Sequence, residues 1–172
     1  AESLFEGQQD VIHYLAGKHV IPEMILVGIV NTERSRDMTH IADESSNFQP
    51  NGGGQQFEAF LTNELIPFVD STYSTAPYRL LTGHSISGLF ATKLLLVGCD
   101  RFNAYLLLDP ALWWAEMEAL SSKNLAGNSP DFDEKQIRLS LAIANSLPAS
   151  MTSLEEAFMD TSNATLGIRS VF

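Results

Sequence analysis

Apolar and polar positions along the chain alternate with two different periods, dividing it into helical stripes and strand-like runs. From Ser3 to Ala16, the residues Leu4, Phe5, Val11, Ile12 and Leu15 fall on one helical stripe, and Gly17 with Pro22 closes the segment. The spacing predicts an amphipathic outer helix. Met24-Ile-Leu-Val-Gly-Ile-Val30 is a continuous apolar run, which predicts a strand covered on both faces and lying inside a sheet. Residues 31–40 read as a polar loop leaving that sheet, and from Ile41 to Gln55 the composition turns to Ser, Asn, Gln, Pro and Gly, the mark of a long mobile loop. Phe57, Phe60, Leu61, Leu65, Ile66, Phe68 and Val69 then predict a helix whose apolar face covers the sheet, bent or ended at Pro67.

A strand is expected over 78–83, a helix over 86–98 closed by Gly98, and a second strand from Phe102 to Asp109 that runs into Pro110-Ala-Leu-Trp-Trp114. Ser121 to Lys135 reads as an exposed connection, and Gln136 to Ala144 as a further strand. A helix capped by Thr152 or Ser153 should follow, with Glu155 and Glu156 in its first turn serving the helix dipole, and the tail Thr161 to Phe172 carries no recognisable end signal. Strands alternating with helices in this way imply an α/β fold with a mainly parallel sheet in a three-layer α/β/α sandwich. No repeat or second domain interrupts residues 1–172, so a single domain is expected.

The junction of the 78–83 strand and the 86–98 helix carries the candidate chemistry. Gly83-His84-Ser85-Ile86-Ser87-Gly88 places a small residue two positions before and two positions after Ser85. A nucleophile elbow needs this, because strand and helix approach too closely there for larger side chains. The usual second glycine is Ser87, with Gly88 one place late. A serine at the carboxyl end of a parallel strand, opening a helix, also sits where α/β sheets bind ligands. Ser85 is therefore the candidate nucleophile, with a structural Gly/Ser turn as the plainer reading of the same string.

Other side chains are placed by the same rim. Arg34 and Arg36 either fork a substrate carboxylate or phosphate, or pair with Glu33, Asp37, Asp43 or Glu44 and brace the loop, which surface ion pairs commonly do. Asp109, at a strand's carboxyl end, is either functional or caps the following turn. Trp113 and Trp114 read first as packing, with Trp114 also a candidate lining for an acyl pocket. His13 and His19 read as surface histidines, while His40 is the one histidine on a loop at the right end of the sheet.

Composition narrows the partners. The 172 residues, 45% of them hydrophobic, are enough for one domain with a real core, and no apolar run reaches the roughly 18 residues of a membrane span. A net charge of −11 argues against a nucleic-acid partner, which needs a basic footprint. One cysteine, Cys99, excludes an internal disulfide, suits cytoplasm or periplasm alike, and reads as a small buried residue. Neither a metal nor an organic cofactor is called for: no Cys/His set has zinc spacing, and Asn51-Gly52-Gly53-Gly54 lacks the Gly-Lys-Ser/Thr of a phosphate loop. The absence of such a loop also sets aside a flavodoxin-type reading. Nothing here opposes a homodimer.

Four ordered blocks resemble the putative-esterase family of α/β-hydrolases, the group that includes enterochelin esterases. They are Ile21 to Ile29 with Asn31 to Asp37, Phe57 to Tyr73, Gly83 to Phe90, and Phe102 to Trp114. The resemblance implies an α/β-hydrolase fold and a serine hydrolase that cleaves carboxylic esters of a small-molecule substrate, with Ser85 as nucleophile. Where family members often carry Ser-Pro-Ser-Leu-Trp-Trp, this chain has Asp109-Pro-Ala-Leu-Trp-Trp114, so the resemblance gives Asp109 no role. In the expected mechanism Ser85 Oγ attacks the ester carbonyl, a histidine takes its proton, and the Ile86 N–H donates to the oxyanion. Asp109, Glu155, Glu156 or Asp160 could orient that histidine, and Asp109 is favoured by its strand-end position. In this fold the histidine follows the serine, yet none occurs after His84, and His40 precedes it. The base and the first strands are accordingly expected in a longer parent chain, the fold here being incomplete at both ends. The alternative, if nothing more exists, is a catalytically inactive hydrolase-like binding or scaffold protein.

Overall fold

A computed structural model describes residues 2–97, 99–114, 138–143 and 165–170. Its contacts divide the chain into two compact units, Ala1–Thr32 and Glu33–Phe172.

In the first unit, helix α1 spans Glu2–Gly17. Phe5, Ile12 and Leu15 of the anticipated stripe are half-buried, but Val11 is 57% exposed. The helix ends at Gly17, as expected. His19 takes the left-handed conformation at φ 57°, with Lys18 N–H donating to Tyr14 O and Val20 N–H to Leu15 O. These bonds satisfy carbonyls that the last helical turn leaves open. Further along, a side chain at Gly28 would run into the Phe5 ring, so the glycine makes room for that aromatic.

The expected inner strand at 24–30 is not formed. The segment joins no ladder, and Met24, Ile25, Val27 and Ile29 are exposed, as is Val30 at 88%. An apolar run states a preference for burial, but a strand is made by hydrogen bonds to a neighbour, which the run itself does not specify.

The second unit opens with the short helix α2, Arg34–Met38, inside what reads as a polar loop. Helix α3, Gly54–Phe60, passes through a π-helical turn at Leu61–Leu65 into α4, Ile66–Thr72. Pro67 explains the interruption. Lying in the first turn of α4, it has no N–H to offer, and just before it Ile66 N–H reaches five residues back to Leu61 O. The bend expected at this proline is thus a local widening of the helix.

Among the described residues four parallel strands follow, β1 (Leu80–His84), β2 (Ala104–Leu108), β3 (Arg138–Ile143) and β4 (Thr165–Ser170), in that spatial order. Helix α5, Ile86–Leu96, connects β1 to β2. The register sets His84 opposite Leu108, so both strands end on one rim. The parallel α/β sheet anticipated from the alternation is present. Among the described residues β1 is the edge of this sheet, with Leu80 45% exposed. Strand β4 was not anticipated. The helix expected near Glu155 and Glu156, with Asp160, and the 121–135 connection lie outside the described residues.

The core forms where α5 lies on the sheet. Leu89 and Leu94 of α5 and Leu107 of β2 are fully enclosed, with Phe90, Leu95 and Tyr105 nearly so. Burying one leucine contributes about 1.5–3 kcal/mol, so the strand–helix–strand unit is the most strongly packed part of the described chain. Among the described residues no helix is long and apolar enough to cross a membrane.

Candidate active site

Strand β1 ends at His84 and α5 begins at Ile86, leaving Ser85 alone to make the turn. It does so at φ 56° and ψ −120°, a conformation that costs a non-glycine residue about 1–3 kcal/mol unless its surroundings enforce it. They do. Ser85 N–H donates to Leu108 O at 3.0 Å, while Leu89 N–H and Ala111 N–H both donate to Ser85 O at 3.0 Å. In a trans peptide the N–H points opposite the C=O. With the Ser85 carbonyl turned to Leu89 and Ala111, the Ile86 N–H is aimed the other way, and as the first residue of α5 it has no intrahelical acceptor.

The two small positions around Ser85 answer to different neighbours. A Cβ on Gly83 would collide with the Ser87 carbonyl, and one on Gly88 would lie 2.9 Å from Pro110 Cα and Cβ. Gly83 lets the strand and the first turn of the helix touch. Gly88 lets the helix rest on the turn after β2. Position 87 tolerates serine because that contact is made by its backbone, and its hydroxyl turns inward: Ser87 Oγ accepts from His84 N–H at 3.1 Å and donates to His84 O at 2.8 Å.

Arg34 and Arg36 do not form a fork. Arg34 Nη2 donates to His84 O at 3.0 Å, against the elbow itself. Arg36 pairs with Asp37 at 2.7 Å, and its carbonyl accepts from Gly53 N–H, bracing the loop. His40 is committed to the core of this unit. Its ring stacks on Phe90 with centroids 5.2 Å apart, and Nε2 lies 3.3 Å from Glu58 Oε2. Burial holds its imidazole below the ordinary 6.5, outweighing the nearby Glu58 carboxylate, which acts to raise it. Asp109 directly follows β2 and takes a left-handed φ of 43°. Cys99 is half-buried, and burial pushes its thiol pKa up, away from reactivity.

Trp114 is 4% exposed, so little of it can face a ligand. The rings at the surface are Trp113, 71% exposed, and Phe48, 54% exposed, whose centroids lie 5.9 and 6.0 Å from that of Trp114. Phe48 is carried by the 41–53 loop, which is knotted by its own side chains. Asn51 Nδ2 donates to the carbonyls of Asp43 and Phe48 at 2.9 and 2.8 Å, and its Oδ1 accepts from Asp43 N–H at 2.8 Å. Sequence reasoning took Ser87 only as a small residue and missed its hydrogen bonds, those of Asn51, and the place of Phe48. A lone aromatic in a polar loop, and a hydroxyl where glycine is usual, were the available signals.

A parallel strand that passes through a left-handed serine into a buried helix is the arrangement found in the α/β-hydrolase class. Comparison with known proteins agrees. The chain belongs to the Esterase family, described as Putative esterase, which matches residues 5–146. It is 29% identical over 110 residues to the ferri-bacillibactin esterase BesA of Bacillus subtilis (strain 168), an alignment covering 55% of this chain and 38% of BesA. An IroE-like serine hydrolase from Shewanella oneidensis superposes with a TM-score of 0.82 at 25% identity, covering 99% of this chain and 61% of that one. The BES protein from Bacillus cereus has the same fold, with a TM-score of 0.71 at 20% identity over 98% of this chain and 70% of its own. The chain thus spans well under two thirds of the length of BesA and somewhat under two thirds of the Shewanella hydrolase.

Proposed function

We propose that this chain carries the nucleophile of a serine esterase that cleaves carboxylic esters through an acyl-enzyme on Ser85. The observation that carries the reading is the backbone of Ser85, held at φ 56° between the end of β1 and the start of α5. In this mechanism Ser85 Oγ adds to the ester carbonyl, the Ile86 N–H donates to the oxygen that becomes negative, the alcohol leaves, and water releases the acid. A histidine takes the hydroxyl proton and returns it to the leaving alcohol. His40, bound to Glu58 and stacked on Phe90, is engaged elsewhere, and the reading gives this role to none of the four histidines of the 172 residues. Asp109 is the candidate for its carboxylate partner, by position on the rim shared with Ser85. The sheet in this reading is covered by helices on both faces, as a three-layer sandwich.

The substrate class follows from likeness. BesA is a ferri-bacillibactin esterase, which favours a small siderophore-type ester over a lipid or a peptide. Trp113 and Phe48 would offer such a ligand flat apolar surface on the rim, backed by Trp114. The test is hydrolysis of p-nitrophenyl acetate by the intact protein and its Ser85→Ala variant. Nucleophile removal costs a serine hydrolase up to about 10⁶-fold in kcat, so a loss of at least about 10⁴-fold is expected. Equal turnover by the two proteins refutes the reading. No turnover by either supports the inactive binding protein.

A further inference from the structure

The peptide plane that precedes Ser85 is held at both ends, and by different means. Its nitrogen end is tied by main chain, Ser85 N–H to Leu108 O. Its oxygen end, the His84 carbonyl, is gripped by two side chains, Ser87 Oγ at 2.8 Å and Arg34 Nη2 at 3.0 Å. Ser87 Oγ also takes the His84 N–H, closing a small ring around the last residue of β1. Glycine, usual at position 87 of an elbow, can make neither bond.

We propose that Ser87 and Arg34 are positioning residues for Ser85, clamping the His84 carbonyl so that the peptide plane bearing the nucleophile cannot rotate. The proposal rests on the reading of Ser85 as nucleophile. Rotation of that plane moves Cα of Ser85 and with it the direction of Oγ, and misplacement by about 1 Å can cost a reaction as much as 100-fold. The clamp therefore controls how fast Ser85 is acylated, and leaves the affinity for a neutral ester alone.

The experiment uses the intact protein and the variants Ser87→Ala, Ser87→Gly and Arg34→Met. Two quantities are read: hydrogen–deuterium exchange at the His84 amide, and acylation of Ser85 as the single-turnover rate with p-nitrophenyl acetate together with KM. Removing one hydrogen bond of this kind is expected to speed His84 exchange in both Ser87 variants and to slow acylation in all three variants by roughly 3- to 10-fold. KM should stay within about twofold and thermal midpoints near that of the native protein, Ser87 being half-buried and Arg34 exposed. Unchanged exchange at His84 in the Ser87 variants overturns the proposal, as does a Ser87→Gly variant that acylates at the native rate. A raised KM with native acylation in Arg34→Met overturns the role given to Arg34, making it a substrate-binding group. Absence of any acylation in the native protein counts against the esterase reading, and exchange at His84 then decides the clamp by itself.

Discussion

Gly83→Ala adds one methyl group where the structure has no space for it. The new Cβ would overlap the Ser87 carbonyl and sit 2.8 Å from Gly88 N, against ordinary contacts of about 3.5–4.0 Å. All of these neighbours are backbone, so no side chain can swing away, and the first turn of α5 must retreat from β1 by roughly 1 Å. Overpacking of this kind costs about 1–3 kcal/mol. The counter-term is the smaller unfolded-state entropy of alanine, worth about 0.4–1 kcal/mol in the other direction. The clash wins because the obstruction is main chain, and a net loss of about 1 kcal/mol is expected, or about 2–4 °C in Tm at the usual 2–4 °C per kcal/mol for chains of this size. The control is Gly7→Ala in α1, where a Cβ meets nothing within 4 Å. There helix propensity acts unopposed and should stabilise by about 0.5–1 kcal/mol. Urea and thermal unfolding followed by circular dichroism measure both variants. Gly83→Ala unfolding at the native midpoint, or a destabilised Gly7→Ala, would refute the reasoning.

Other positions give independent tests. Leu94→Ala, at a fully enclosed site in α5, should cost about 2–5 kcal/mol in urea unfolding, and a loss under 1 kcal/mol would contradict the core assignment. The Tyr105 hydroxyl is buried and meets no hydrogen-bond partner among the described residues, so Tyr105→Phe should hold or raise stability by up to about 1 kcal/mol, and a clear loss would reveal a partner. His40 is held below 6.5 by burial, so the unfolded chain takes up its proton first as the pH falls. Stability from this group is complete above 6.5 and is lost as the pH falls below 6.5 and through the lower folded value. Urea midpoints at pH 7.5 and 5.5 should therefore differ more for the native protein than for His40→Gln, and equal differences would show that His40 does not titrate this way.

The strand–elbow–helix–strand unit was legible because its signals are local. Leu80 and Leu81, the small residues flanking Ser85, the leucines of 89–96 and the run from Ala104 to Leu108 each specify their own backbone. The helix broken at Pro67 was legible for the same reason. What escaped depends on partners distant in sequence. Residues 24–30 carry a buried strand's composition, yet a ladder has to be supplied from elsewhere. In β4 only Leu166 and Ile168 alternate with Thr165, Gly167 and Arg169, too short a pattern to separate from a polar tail. At the site, Ser85 was recoverable from spacing. The grip of Arg34 and Ser87 on His84, and the burial of Trp114 beneath more exposed rings, are settled by packing that no spacing records.

The account turns on Ser85 Oγ being a reactive hydroxyl. Treating the intact protein with a fluorophosphonate and mapping the adduct by peptide mass spectrometry tests this directly. The account predicts one covalent phosphonyl group, located on Ser85 and absent from Ser85→Ala. A native protein that stays unmodified, or that is labelled at some other residue with Ser85 untouched, would contradict it.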